Sequence, residues 1–271
     1  MTISPKVVRA VTVAIVLTAA AQTGRAAETW VERLPIVDKS IEHHGGAAYT
    51  SSDVSLRLCS AGGCFDIEVR SDGGLYTHTV TRQGGDGLRV RATNDRVEMW
   101  ENGAAKPVPP EDDARRRRFV SARVYFAFLP YRLNDPGVEK LDFGVVDWEG
   151  RPLHQVRIRF GGSRAAGGDQ GGETGQTSDE YMYWFDPESG EIVYFAYDFV
   201  GEPSGIRFRR AFNQRRIGGI LFFDQDNIGL DGDGLDVGAI DPRFVAERLK
   251  PISKVELSRI EVRPLDRPAS P

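Results

Sequence analysis

The most apolar run in the chain is residues 10–21, A-V-T-V-A-I-V-L-T-A-A-A, with Lys6 and Arg9 before it and Gly24, Arg25, Ala26 and Ala27 after it. A short basic start, an apolar middle and small residues at a cut site are the parts of a secretory signal peptide. The alternative is a membrane anchor, but a span takes about 20 apolar residues, and this run breaks off at Gln22. Residues 1–26 are therefore expected to be a signal peptide cleaved after Ala26, with Ala27 as second choice. No Cys follows the run to accept a lipid, so the mature protein is expected to be soluble, not membrane-embedded, and periplasmic or secreted.

After this leader the pattern changes period twice. Trp30, Leu34, Val37 and Ile41 fall at spacings of four, three and four, which predicts a helix over 29–41 stopped by Gly45-Gly46. Residues 54–58, 65–70, 75–80, 88–92 and 96–100 suit strands separated by Gly-, Ser- and Asn-rich turns. Phe65, Ile67 and Val69 alternate with polar residues, so that strand has one wet face. A proline-rich joint at 104–110 leads to a second helix over about 112–128. Strands resume at 143–148, 153–160, 181–185, 192–199, 206–212 and 217–223. A short helix at 242–249 and a last strand at 255–262 follow. Residues 161–178, rich in Gly, Ser and Thr, read as a long loop, and 263–271 as a disordered tail. Residues 192–199 are apolar on both parities, so both faces of that strand should be covered.

Neither half looks self-sufficient. Residues 27–262 are expected to form one mainly β (α+β) domain, a strongly curved antiparallel sheet or open half-barrel with helices on its concave side.

Charge narrows the partners. Losing residues 1–26 removes Lys6, Arg9 and Arg25 and no acid, so 35 basic and 39 acidic residues become 32 and 39 and the formal net charge moves from −4 to −7. Nucleic-acid binding needs clustered Lys and Arg. The basic run Arg115–Arg118 directly follows Glu111, Asp112 and Asp113, an arrangement that suits helix electrostatics better than a phosphate site. No nucleic-acid partner is expected. Cys59 and Cys64 flank a Gly-containing turn, and in an oxidising compartment they are expected to join as a disulfide, with free thiols as the alternative.

The block Ser121-Ala122-Arg123-Val124-Tyr125-Phe126-Ala127-Phe128-Leu129-Pro130-Tyr131-Arg132-Leu133-Asn134-Asp135-Pro136 resembles one in a family of uncharacterised exported bacterial proteins. So do His43-His44-Gly45-Gly46, Tyr183-Trp184, Phe195-Ala196-Tyr197, Gly205–Arg209 and Asn213–Ile220. That family is similar in fold to periplasmic lipoprotein carriers (LolA-like), with a half-closed β-barrel and helices plugging its concave side. The resemblance implies a fold and no activity, and it brings no catalytic residues. The two cysteines and Gly229-Leu230-Asp231-Gly232-Asp233-Gly234 depart from the family pattern.

Candidate chemistry is sparse. His43 and His44 could ligate a metal, but neighbours at a helix end diverge and no third ligand is identifiable, so a capping role is favoured. His78 and His154 read as partly buried polar residues in strands. Asp224–Asn227 and Asp231–Asp236 resemble a calcium loop. The fifth and sixth places hold Leu235 and Asp236, or Ile228 and Gly229, and neither register satisfies both requirements, so an acidic surface turn is the competing reading. No G-x-S-x-G elbow is present. No catalytic residue, metal or cofactor is expected.

The aromatics are more informative. Tyr125, Phe126, Phe128, Tyr183, Trp184, Phe195 and Tyr197 cluster on the second helix and two successive strands. Core packing accounts for such a cluster, and so does the lining of a concave apolar cavity. The preferred function is a non-catalytic exported protein holding an apolar, lipid-like molecule in the sheet's concavity on these residues. An envelope structural or protein-interaction module is the first alternative and an unrecognised hydrolase the second. The protein partner, if any, is not specified by the sequence.

Overall fold

The computed structural model describes residues 29–72, 75–160, 180–199, 204–232 and 234–265; the expected signal peptide 1–26, the expected loop 161–178 and residues 266–271 of the expected tail lie outside them. Helix α1 (Pro35–His44) and a 3-10 helix (Gly46–Tyr49) precede β1 (Ser52–Ser60), β2 (Gly63–Asp72), β3 (Leu75–Arg82), β4 (Arg89–Thr93), β5 (Val97–Glu101) and β6 (Ala104–Lys106). Helix α2 (Pro110–Ala127) and a second 3-10 helix (Tyr131–Asn134) lead to β7 (Val138–Trp148), β8 (Arg151–Phe160), β9 (Glu180–Phe185), β10 (Ile192–Phe199), β11 (Gly205–Ile217) and β12 (Ile220–Asp231). A third 3-10 helix (Val237–Ala239), α3 (Pro242–Arg248) and β13 (Lys250–Pro264) complete the order.

All of these strands join one antiparallel sheet of 13 strands in the order β6-β5-β4-β3-β2-β1-β13-β12-β11-β10-β9-β8-β7. Two meanders, β1–β6 and β7–β12, are zipped together by the last strand, which inserts between β1 and β12. That is why neither half could stand alone in the sequence. The terminal strands β6 and β7 do not pair with each other, so the curved sheet stays an open half-barrel of the expected mainly β class. Cys59 and Cys64 face each other in the β1–β2 register and are bonded.

Three apolar clusters hold the layers together. The first lies under α2 in the β1–β5 half, where Val120, Val124, Ala127 and Phe128 meet Leu56, Leu58, Phe65, Ile67, Val80 and Val90. The second joins α1 and the other flank of α2, through Val37, Tyr125 and Leu129, to Val156, Tyr181, Tyr183, Phe185, Ile192 and Phe195. The third covers the opposite face of the same strands, where Met182, Trp184, Val193, Ala196 and Phe208 pack under Val237, Ile240 and Leu249. Strand β10 is thus covered on both faces, as its apolar parities required. A register shift between Ile192 and Tyr194 puts Ile192 on the same side as Phe195.

Several boundaries differ from the sequence expectation. Helix α1 starts at Pro35, whose missing N–H suits the first helical turn, and not at Thr29, because Val31 instead bridges to Lys140. The expected strand 217–223 is two strands: Gly218 and Gly219, at φ 56° and 88°, make the β11–β12 turn. The segment Asp224–Asn227 is not a loop but the middle of β12. Arg263 and Pro264, expected in the tail, end β13, and the Leu265 N–H still donates to Ser51 O.

Candidate ligand clefts beside helix α2

Helix α2 positions the candidate site. Its first turn carries Glu111, Asp112 and Asp113 at the positive end of the helix dipole. Arg115 bonds Asp112 at 2.9 Å and Arg117 bonds Asp113 at 2.7 Å. Arg117 also donates to Thr93 O at 2.7 Å, tying the helix start to the sheet. The second half of the helix is apolar on both flanks because it wedges between the two halves of the sheet. It does not fill the concavity. A cleft remains on each side.

The first cleft, of about 230 Å³, lies towards β2 and β3. Val124, Phe128, Tyr49 and Tyr131 wall it from the helical side, and Val69, Tyr76 and His78 from the sheet. Tyr49 stacks on Tyr131 with ring centres 4.7 Å apart, and Tyr76 lies 4.6 Å from His78. Burial pushes the His78 pKa down to about 3, with nearby Arg132 adding in the same direction. The imidazole is therefore neutral at physiological pH, and the charged residues lining this cleft, Arg132 and Asp135, pair with each other.

The second cleft, of about 420 Å³, lies on the other flank. Leu58, Phe65, Phe126, Ile252 and Val255 give it apolar walls, and Arg123, Arg209, Asn227 and Ser253 add polar groups. The strand register explains this floor. Arg209 stands opposite Phe195 on β10 and Asn227 on β12, and Asn227 stands opposite Ser253 on β13. Asn227 Nδ2 donates to Ser253 Oγ at 3.0 Å, and Arg209 Nη2 to Tyr197 Oη at 2.9 Å.

Of the seven aromatic residues singled out from the sequence, Phe126 and Phe128 line these clefts. Tyr125 and Tyr183 are buried and share a hydrogen bond at 2.5 Å. Phe195 lies 5.6 Å from Tyr183 and 6.1 Å from Phe126, so it forms the layer beneath the cleft wall. Tyr197 is buried beside Phe126 and reaches the second cleft through its hydroxyl on Arg209. Trp184 is not brought to this site: it faces the third cluster, 4.9 Å from Trp148. One residue of parity separates it from Tyr183, and both faces of β9 are apolar, so sequence pattern could not assign the side.

The other candidates resolve individually. His44 Nδ1 bonds Ser40 O at 2.8 Å, and its ring packs 6.0 Å from Phe223, a helix-end role for the buried imidazole. Burial lowers its pKa to about 4. Among the described residues no cluster of His, Cys, Asp and Glu could hold a metal ion. The calcium reading fails at Asp224, which is buried and committed: it accepts from Asn213 Nδ2 at 2.6 Å, Arg215 Nη2 at 2.9 Å and the Leu257 N–H at 2.9 Å. Asp226 is likewise paired, with Arg210 and Lys254. Asp233 lies outside the described residues. His154 Nε2 and the Asp142 carboxylate are 2.7 Å apart, but no Ser or Cys among the described residues is hydrogen-bonded to that imidazole.

Sequence reasoning missed Arg209, Arg123, Tyr49 and His78 as lining residues. A signal existed for the first. In Ile206-Arg207-Phe208-Arg209 the arginines share a parity, so both point to one side of a strand whose apolar partners face the other. What the sequence lacked was the knowledge that this polar side faces the concavity.

A family model described as a family of unknown function, DUF6503, matches residues 75–241. No curated protein matches the sequence. Among solved structures, a LolA superfamily protein from Nitrosomonas europaea is 11% identical, with 86% of this chain and 93% of that one covered and a TM-score of 0.45. A DUF1329 family protein from Desulfovibrio piger is also 11% identical, with 87% and 93% covered and a TM-score of 0.44.

Proposed function

The chain belongs to DUF6503, a family of unknown function, and from its clefts we propose that it is an exported, non-catalytic binding protein that holds an apolar, lipid-like molecule in the concavity of its sheet. One observation carries the reading: α2 crosses an open sheet without filling it and leaves two clefts, of about 230 and 420 Å³, walled by aromatic and aliphatic side chains. Burying such a ligand releases about 25 cal/mol for each Å² of apolar surface taken from water. No covalent step is needed. The apolar run at 10–21 supports export to the periplasm or beyond.

Phe126 and Phe128 are the wall residues, with Tyr197 and Phe195 supporting Phe126 from behind. Tyr125, Tyr183 and Trp184 hold the two faces of the sheet in shape. The test is a titration of delipidated protein with a fluorescent fatty-acid probe. Phe126→Ala, at a half-buried wall position, should weaken capture at least severalfold with a small loss of melting temperature. Tyr183→Ala should cost about 3–5 kcal/mol of stability, as expected for a close-packed aromatic. Absence of any probe binding by the wild type would sink the proposal.

One observation favours a second reading. The edge strand β7, which beyond β8 is bridged among the described residues by Val31 at Lys140, exposes Phe143 and Val145, at 45% and 58% of full exposure. An exposed apolar edge suits strand addition by another protein. This interaction-module reading takes over if no apolar molecule binds.

A further inference from the structure

The second cleft contains a charge that the carrier reading does not use. Arg209 is only 8% exposed, yet among the described residues no carboxylate pairs with it. Its Nη2 donates to Tyr197 Oη, while Nε and Nη1 have no acceptor. Its neighbours on β11 are treated differently. Arg207 meets Asp231 at 2.9 Å, Arg210 meets Asp226 at 2.5 Å and Arg215 meets Asp224 at 2.9 Å. A guanidinium cannot shed its proton at ordinary pH. A buried one with idle N–H groups therefore carries a standing desolvation cost.

The roof of the same cleft supplies a second cation. Arg123, three residues before Phe126 on α2, lies 4.2 Å from the Phe65 ring and 4.0 Å from the Phe119 ring. Its Nη1 donates to Phe119 O at 2.6 Å, and its buried Nε has no acceptor. Burial, helped by Arg82, lowers its pKa to about 10, so it remains charged at neutral pH. The space between the two arginines is bounded by Leu58, Phe65, Phe126 and Val255. Among the described lining residues no Asp or Glu offsets them.

We propose that this cleft selects an anionic amphiphile, its oxyanion head on Arg209 and Arg123 and its alkyl chain along Phe126, Phe65, Leu58 and Val255. This rests on the carrier reading and narrows its cargo: a carboxylate or phosphate head is required, and a neutral lipid of the same chain is a poor substitute. Arginine is suited to such heads because charge-assisted hydrogen bonds to an oxyanion are roughly twice as strong as neutral ones. Asn227 Oδ1, also without a partner, stands beside Arg209 to accept from a hydroxyl next to the head.

Calorimetric titration of delipidated protein with laurate, chain-matched lauryl alcohol, acetate and inorganic phosphate tests the assignment. The wild type should bind laurate about tenfold to a hundredfold more tightly than the alcohol, and should bind acetate and phosphate weakly. Arg209→Met should abolish the preference, bringing laurate down to the affinity of the alcohol in the same variant. Arg123→Met should show a smaller loss in the same direction. Should Arg209→Met fail to fold, Arg209→Lys keeps the charge and should retain part of the preference. Equal binding of laurate and alcohol by the wild type, or a preference untouched in the Arg209 variant, would overturn the anion assignment and leave the carrier reading standing. Acetate or phosphate binding as tightly as laurate would make this a free-anion site and overturn the amphiphile. If neither laurate nor the alcohol binds, the carrier reading falls and takes this one with it.

Discussion

The protein should be acid-labile well above the range where carboxylates titrate, and two histidines set the size of the effect. His44 and His78 are both buried, with pKa values pushed down by desolvation from 6.5 to about 4 and about 3. His43 and Arg216 press on the first, and Arg132 on the second. The folded values lie below the unfolded one, so between pH 6.5 and about 4 the unfolded chain binds more protons than the folded chain. Stability is therefore lost as pH falls through that window. Moving from pH 7 to pH 5 should cost about 2 kcal/mol for each histidine and about 4 kcal/mol for both. That is a large part of the roughly 5–15 kcal/mol that usually holds a domain folded. Urea unfolding followed by the fluorescence of Trp148 and Trp184, which are buried, measures it directly. His44→Gln and His78→Phe should each remove about 2 kcal/mol of the difference between the two pH values. Flat wild-type stability from pH 7 to pH 5, or a double variant with the full slope, would refute the reasoning.

Other consequences follow from single contacts. Asp224→Ala removes the carboxylate that pairs with Arg215 and the acceptor of the buried Leu257 N–H between β11, β12 and β13, and should cost about 3–5 kcal/mol in chemical denaturation; added calcium should not shift the wild-type melting temperature. Replacing Cys59 and Cys64 by Ala opens a ring with a sequence separation of 5 and should cost about 2 kcal/mol by loop entropy; two free thiols in unfolded, unreduced protein would count against the bond. Export should leave Ala27 or Glu28 at the N-terminus, and Met1 on protein in a membrane fraction would falsify the signal-peptide assignment.

Much of the fold was legible because period and punctuation agree. Phe65, Ile67 and Val69 marked a one-sided strand, and the Cys59–Cys64 spacing marked its hairpin. The doubly apolar 192–199 run announced cover on both faces. The failures have physical causes. Trp30 and Leu34 carry a helical spacing, but backbone pairing of Val31 with Lys140 outweighs it and Pro35 fixes the helix start. The acids of Asp224–Asn227 looked like a loop because buried carboxylates are rare, and only three-dimensional pairing shows that Arg215, Arg210 and Lys254 neutralise them. The clefts were half-legible. The aromatic cluster pointed to the right helix, yet which side of each strand meets the concavity depends on β13 joining the two meanders.

The central claim is that the concavity beside α2 carries a lipid-like molecule, and native mass spectrometry of protein purified from the periplasm tests it most directly. The account predicts a population heavier than the mature chain by the mass of one small amphiphile. Organic extraction should remove that mass, and addition of the extracted lipid should restore it. Protein that flies only at its bare mass, and gains none when offered free fatty acid or phospholipid, would contradict it.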